Sequence, residues 1–240
     1  MRKINLTSAG AFCAVLTTLA FIIGVAFSAG GGVQTIIPET GEGAIDWIND
    51  VNDAGGPFFV GAWFVILGGF LGLLALIGFW DALRGAGQLL ILAPILAVVG
   101  FTLVQISHLI PIAMAYELVP DYVAATGSTK ASIASTADMF AVLALVINYA
   151  GDVVLWGVVV PMYAHATLKT HVVGRWIGWL GFGVAFFAGW LGALAPASDA
   201  IEGITFIGFV AFFVWMAAMG VSLLRRERGA GSKTSLPVSA

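Results

Sequence analysis

Six long apolar stretches constrain this chain more than any other feature of its sequence. They cover residues 8–29, 58–79, 88–112, 137–166, 174–196 and 203–224. A helix rises about 1.5 Å per residue, so about 20 apolar residues are enough to cross the hydrocarbon core of a bilayer. No stretch alternates apolar and polar residues with the period of two that a strand needs. The sequence therefore predicts an all-α fold, a polytopic transmembrane bundle with six spans in a single membrane domain over residues 1–240.

The composition excludes most classes of soluble protein. Apolar residue types make up 60% of the chain and charged residues only 10%, whereas ordinary soluble domains carry about 25% charged residues. Cys13 is the single cysteine and cannot form an internal disulfide, and the net charge of −3 offers no surface for nucleic acid. We expect the lipid bilayer as the main partner and other membrane subunits as further candidates.

The basic residues predict the orientation in the membrane. Six crossings place both termini and the loops 80–87 and 167–173 on one side. That side carries Arg2, Lys3, Arg84, Lys169, Arg175, Arg225, Arg226, Arg228 and Lys233, and the other side carries Lys130. Because cytoplasmic loops are enriched in Lys and Arg, both termini are expected in the cytoplasm.

The two ends of the chain have their own interpretations. The apolar run after Arg2 and Lys3 resembles a signal peptide. It spans about 20 residues, longer than the usual signal core of about 7–15 residues, which favours a retained anchor. The tail over 225–240 is basic and then rich in Ser and Gly, which predicts a loose segment.

The outer loop over 30–57 contains a predicted amphipathic helix at about 42–53. Four acidic side chains fall within an arc of about 80° on a helical projection, with apolar residues opposite. The acidic set is Glu42, Asp46, Asp50 and Asp53, and the apolar set is Ala44, Ile45, Trp47, Ile48 and Val51. We expect this helix on the outer surface, with its apolar face on the bundle or the lipid. Its acidic face is either a solvated cover or a surface for a partner or a cation.

Polar residues inside the spans are the candidate ligand-binding residues, because they are costly in lipid. The third span carries Gln105 and His108, and Pro111 predicts a kink beside His108. The fourth span carries three candidates, Asp138, Asn148 and Asp152.

The predicted depths of these candidates differ. His108 and Asp138 both belong to the outer leaflet, whereas Asp152 lies near the midplane, about 15 Å deeper. The Ser135-Thr-Ala-Asp138 sequence also resembles a capping box, so Asp138 has an alternative structural role at a helix N-terminus. Together the five residues predict a polar pocket that is open to the outer side.

The sequence assigns no catalytic residue, no metal site and no cofactor. His108 lies at the opposite membrane end from His165 and His171, so two histidines cannot bracket one haem. A single His108 ligand to a pigment or haem stays open. Lys130 and Lys169 lie in loops, which excludes a retinal Schiff base in mid-membrane.

Small residues four positions apart predict close helix contacts. Gly68 with Gly72, Gly174 with Gly178 and Ala188 with Gly192 have this spacing. Contacts within the chain are the simpler interpretation, and a homodimer face is the alternative.

The region from Asp152 to Trp190 carries a resemblance to a known family. It contains Gly151-Asp152, Trp156-Gly157, Tyr163-Ala164 and the run Arg175-Trp-Ile-Gly-Trp-Leu-Gly181. In these residues, about a third of the chain, it resembles a family of uncharacterised six-helix bacterial membrane proteins of unknown function. The resemblance implies six spans and a bacterial-type plasma membrane, and it assigns no functional residue.

The leading interpretation is a non-enzymatic integral membrane protein that binds a small molecule, a lipid or a partner chain. One alternative is an accessory subunit of a larger membrane complex of respiratory or photosynthetic type. A second is a proton-coupled transporter that uses Asp152. A third is an intramembrane enzyme with His108 and Asp138 as acid and base.

Overall fold

The chain is helical throughout the residues that its structure describes. The computed structural model describes residues 5–33, 36–197 and 199–233, and no strand occurs among them. The α-helices of these residues are α1 Leu6–Gly30, α2 Glu42–Ala54, α3 Gly56–Leu83, α4 Leu92–Ala124, α5 Gly127–Val154, α6 Val160–Thr170, α7 Arg175–Val184 and α8 Asp199–Lys233. The all-α class is therefore confirmed.

Six helical regions of the described residues are long and apolar enough to cross a membrane, as a multi-pass membrane protein requires. They are Leu6–Gly30, Gly56–Ala86, Gln88–Ala124, Gly127–Thr170, Arg175–Leu194 and Gly203–Gly229. Many of their large apolar side chains are exposed in the isolated chain, as Phe12, Leu67, Phe70 and Val146 are. A surface with this many large apolar side chains is suited to lipid as the surrounding solvent.

Shorter helical segments complete or join several of these spans. A π-helical segment, Leu155–Val159, links α5 to α6, and a second one, Ala185–Trp190, follows α7. Two 3₁₀ segments, Arg84–Ala86 and Gln88–Ile91, lie between α3 and α4. A third, Gly192–Ala197, precedes α8.

Two helices extend well beyond the apolar stretches predicted for them. The third stretch was expected to end at 112 and the fourth to begin at 137, whereas α4 runs to Ala124 and α5 starts at Gly127. In the extension of α4, Ala115, Val119 and Tyr122 are buried. Their spacing of three and four residues forms one apolar face, so packing continues a helix that has left the most hydrophobic stretch.

The C-terminal helix also continues further than the sequence predicts. The tail was expected to be loose from 225, but α8 runs as helix to Lys233, and residues 234–240 lie outside the described part of the chain. Glu227 Oε1 accepts a hydrogen bond from Asn5 Nδ2 at 2.5 Å. This bond ties the first helical turns beyond 224 to the start of α1. Arg2 and Lys3 also lie outside the described residues.

The residues group into two compact units. Unit 1 comprises the described residues of Met1–Thr18, Phe70–Val99 and Asp152–Ala240, and unit 2 comprises those of Leu19–Gly69 and Gly100–Gly151. The single membrane domain over 1–240 stays a prediction.

Unit 2 has its core under the amphipathic helix. The apolar face of α2 is buried through Ala44, Trp47, Ile48 and Val51, and its acidic residues lie on the exposed side. The Trp47 ring packs edge to face on Phe58 at 5.5 Å between centroids. Most of the remaining core residues come from α3 and α4, and Val33 and Ala137 of α5 complete the cluster; the α3 and α4 members include Ala62, Ile66, Ile112, Ala115 and Val119. The sequence left two surfaces open for the apolar face of α2, the bundle or the lipid. The structure shows that this face packs on protein.

Unit 1 is held by aromatic packing and by close glycine contacts. The Phe79 ring packs edge to face on Tyr163 at 6.3 Å and on Trp215 at 5.8 Å between centroids. A Cβ built on Gly178 would lie 3.1 Å from the carbonyl oxygen of Ala164, so α7 lies directly on α6 there. The predicted small-residue contact is thus confirmed at Gly178, within the chain.

Candidate functional site

Ser107, His108 and Asn148 form a polar network in unit 2. Ser107 Oγ donates its single proton either to Asn148 Oδ1, 3.0 Å away, or to the Val104 carbonyl, 2.7 Å away. His108 Nδ1 lies 3.4 Å from the same hydroxyl. The structure therefore brings two of the predicted ligand-binding residues together, and it joins them through Ser107, which the sequence analysis did not select.

The orientation of His108 is set by the backbone of its own helix. Its Nδ1 lies 2.7 Å from the carbonyl oxygen of Val104, one turn earlier in α4. Nδ1 donates in this bond, which leaves the lone pair of a neutral imidazole on Nε2. That nitrogen can accept a hydrogen bond or act as a ligand. Among the described residues, no group of three or more His, Cys, Asp and Glu side chains is placed to hold a metal ion.

Gln105 is buried at a close approach between α4 and α3. Its side chain is 8% exposed, and a Cβ on Gly69 would collide with its amide nitrogen. Its Oε1 has no hydrogen-bond partner among the described residues. Gln105 therefore fills the space that the missing side chain of Gly69 leaves.

Asp138 belongs to α5, and its side chain contacts the residue that precedes α2. It does not cap its own helix. The capping-box interpretation is wrong, because α5 begins at Gly127 and Ser135 already lies inside it. Instead, Asp138 Oδ1 accepts a hydrogen bond from the backbone N–H of Gly41 at 2.6 Å. Gly41 directly precedes α2, whose N-terminus carries a partial positive charge that favours a carboxylate.

The remaining predicted residue, Asp152, is half-buried in α5 and belongs to unit 1. The other four predicted ligand-binding residues belong to unit 2. The polar pocket formed by all five stays a prediction. His108 and Asp138 are the pair in the enzymatic alternative. His108 is hydrogen-bonded to the Val104 carbonyl and Asp138 to the Gly41 N–H, which lie in different segments.

Unit 1 contains a groove of about 770 Å³ that the sequence analysis did not predict. Its floor is made by small and buried residues and its rim by exposed ones. One wall is the segment Ala86, Gly87, Gln88, Leu89 and Leu90, and the other wall is Gly157, Val158, Pro161, Met162, His165, Ala166 and Lys169.

The second wall is a single helical face. Gly157, Pro161, His165 and Lys169 follow one another at intervals of four, so they lie one above the other along the π-helical segment and α6. The opposite face of α6 is fixed to the core, since Tyr163 Oη donates to the carbonyl oxygen of Leu76 at 2.7 Å. This spacing was visible in the sequence, but the segment that faces it could not be identified there.

A proline and a π-helical turn give this wall its shape. Pro161 has no N–H for the carbonyl of Gly157 four residues earlier, and its ring would clash with that carbonyl in a regular α-helix. The N–H of Val160 donates instead to the carbonyl oxygen of Leu155, which widens the turn just before the proline. Trp190 Nε1 donates to the Gly157 carbonyl oxygen at 3.0 Å.

The shape of the wall over 86–90 depends on a glycine. Gly87 has φ 141°, a backbone conformation that residues other than glycine rarely adopt. It separates the two short 3₁₀ segments and turns the chain, leaving Leu89 77% exposed and Leu90 buried in the groove.

No family model matches this chain, and no curated protein or solved structure matches it significantly. The family resemblance seen in the sequence therefore remains an expectation. Function is inferred from the groove and from the polar residues themselves.

Proposed function

We propose that this protein is a non-enzymatic, multi-pass protein of a bacterial-type plasma membrane that binds a membrane lipid in the groove of unit 1. Both termini are assigned to the cytoplasm. The unequal distribution of Lys and Arg between the loops supports this orientation. The resemblance to six-helix bacterial membrane proteins supports the choice of membrane.

The combination of an apolar lining with a polar rim carries the proposal. The groove volume of about 770 Å³ lies within the range of about 300–1,000 Å³ that is typical of small-molecule sites. Apolar contacts come from Leu89, Val158 and Met162, and polar groups come from Gln88 and His165. An acyl chain along the apolar lining and a headgroup at the rim match this arrangement.

The position of the groove in the chain also favours a lipid as the occupant. Its two walls belong to the candidate spans Gln88–Ala124 and Gly127–Thr170, near the start of one and the end of the other. Ends of spans lie at the interface between hydrocarbon and headgroups. Lipid is present there at high concentration, and it enters without first crossing water.

Photolabelling tests this proposal. A photoreactive phosphatidylcholine in nanodiscs is expected to label peptides of the segment 157–169. Val158→Trp fills the groove from a side chain that is 40% exposed, and we expect it to reduce this labelling at least about fivefold, equivalent to about 1 kcal/mol.

Val153→Trp is the matched control, because Val153 is 36% exposed and does not line the groove. This variant is expected to label as the wild type does. A folded Val158→Trp protein that is labelled as strongly as the wild type would overturn the proposal.

A further inference from the structure

We infer that the groove selects lipids with an anionic, phosphate-type headgroup, an inference that rests on the proposed lipid binding. The first observation is the charge of the lining. Among its twelve residues, the ionisable side chains are His165 and Lys169, and none is Asp or Glu. Both side chains are exposed at the rim, where a headgroup would lie.

The two basic side chains are concentrated at one end of the groove. His165 and Lys169 are four residues apart on α6, so they lie on the same face, about 5–6 Å apart at Cβ. Gly157 and Pro161 continue that face away from them. The wall thus changes along its length from apolar to basic, as a lipid changes from acyl chain to phosphate.

Lys169 also reaches across to the opposite wall. Its Nζ lies 4.0 Å from the position that a Cβ on Gly87 would occupy. The ammonium is therefore close to the mouth of the groove between both walls. A compact ammonium binds phosphate oxygens as a point charge, and the Gln88 amide on the same rim can add a hydrogen bond.

The acidic side chain that precedes the first wall in the sequence, Asp81 at the end of α3, is already engaged. Asp81 accepts a hydrogen bond from Thr7 Oγ1 at 2.8 Å and pairs with Arg84 at 3.5 Å. It precedes the groove-lining residues and is not among them. His165 and Lys169 form no salt bridge among the described residues, so they keep their attraction for an external anion. In the proposed orientation they face the cytoplasmic leaflet, where anionic lipids are concentrated.

Competition between photoreactive lipids tests the selectivity. In nanodiscs, labelling of 157–169 by phosphatidylglycerol is compared with labelling by phosphatidylcholine. The double variant His165→Gln/Lys169→Gln is expected to lower this ratio at least about fivefold, since one basic residue near an anionic surface contributes about that factor. The control His171→Asn/Lys130→Gln removes the same residue types away from the groove and is expected to leave the ratio unchanged.

Each other outcome has a definite meaning. Equal labelling ratios in the wild type and the groove variant would overturn the anionic selectivity and leave lipid binding intact. Absence of labelling by both lipids would overturn lipid binding itself. Phosphate binding that the double variant removes, together with no preference for phosphatidylglycerol in the wild type, would show that the basic rim takes a soluble anion, and it would overturn the assignment to a lipid headgroup.

Discussion

At the scale of single residues, the indole N–H of Trp190 replaces a backbone hydrogen bond that a proline cannot form. Trp190 is 54% exposed, yet its Nε1 donates to the carbonyl of Gly157. Pro161 cannot supply that hydrogen bond, and water is absent in the bilayer core. Trp190 therefore links the second π-helical segment to the first, at the floor of the groove.

Trp190→Phe removes this donor while it keeps an aromatic ring. We expect a loss of about 0.6–1.7 kcal/mol in the free energy of unfolding, the range measured for hydrogen bonds between membrane helices. Denaturation in mixed micelles measures this loss. Trp179→Phe is the matched control, because Trp179 is 63% exposed and contacts Phe182 through its ring. Equal losses in the two variants would contradict a specific role for the Trp190 N–H.

At the scale of secondary-structure elements, α2 attaches the segment between α1 and α3 to the core of unit 2. Its sequence is polar enough that it would not span a membrane, and its stability depends on the face that it buries. That face packs on α3 and α4, and Asp138 adds a hydrogen bond at the N-terminal end. The helix is therefore expected to be a fixed part of unit 2.

Ile48→Ala tests this packing. Ile48 is fully buried in the core cluster, so we expect a loss of about 2–5 kcal/mol in the free energy of unfolding. Asn49→Ala, at the exposed neighbouring position, is expected to change it by no more than about 0.5 kcal/mol. If Ile48→Ala were as mild as its neighbour, the apolar face of α2 would lie on lipid and not on protein.

At the scale of the whole molecule, the orientation of the six spans decides which side the groove faces. The groove lies at Ala86–Leu90 and along α6, next to two of the loops assigned to the cytoplasm. Anionic lipids and cytoplasmic partners can reach it only if this assignment is correct. The topology is therefore the prediction on which the physiological meaning of the groove depends.

Cysteine labelling of intact cells checks the topology. In a Cys13→Ala background, Asp53→Cys on α2 is expected to react with a membrane-impermeant maleimide added outside. Ser232→Cys, beyond the last span, is expected to react only after the cells are permeabilised. Labelling of Ser232→Cys in intact cells would contradict the proposed orientation. The background protein without cysteine measures unspecific reaction.

The sequence by itself determined the all-α class and the presence of six helices long and apolar enough to span a membrane. The physical reason is that a bilayer demands helices of about 20 apolar residues, and this requirement is local. The two faces of α2 were readable for the same reason, because helical periodicity depends on residue spacing alone. His108 and Asn148 were also recognisable, since polar side chains in apolar stretches are rare.

The tertiary structure alone decided the lengths of α4 and α5, the partner of Asp138 and the existence of the groove. Ala115 and Val119 extend α4 because residues of α2 and α3 cover them, and hydropathy along the chain does not show this cover. Asp138 meets Gly41 across 97 positions of sequence. The groove needs Gly87 beside Lys169. Such contacts depend on which segments pack together, and the spacing within one segment carries no information about its neighbour.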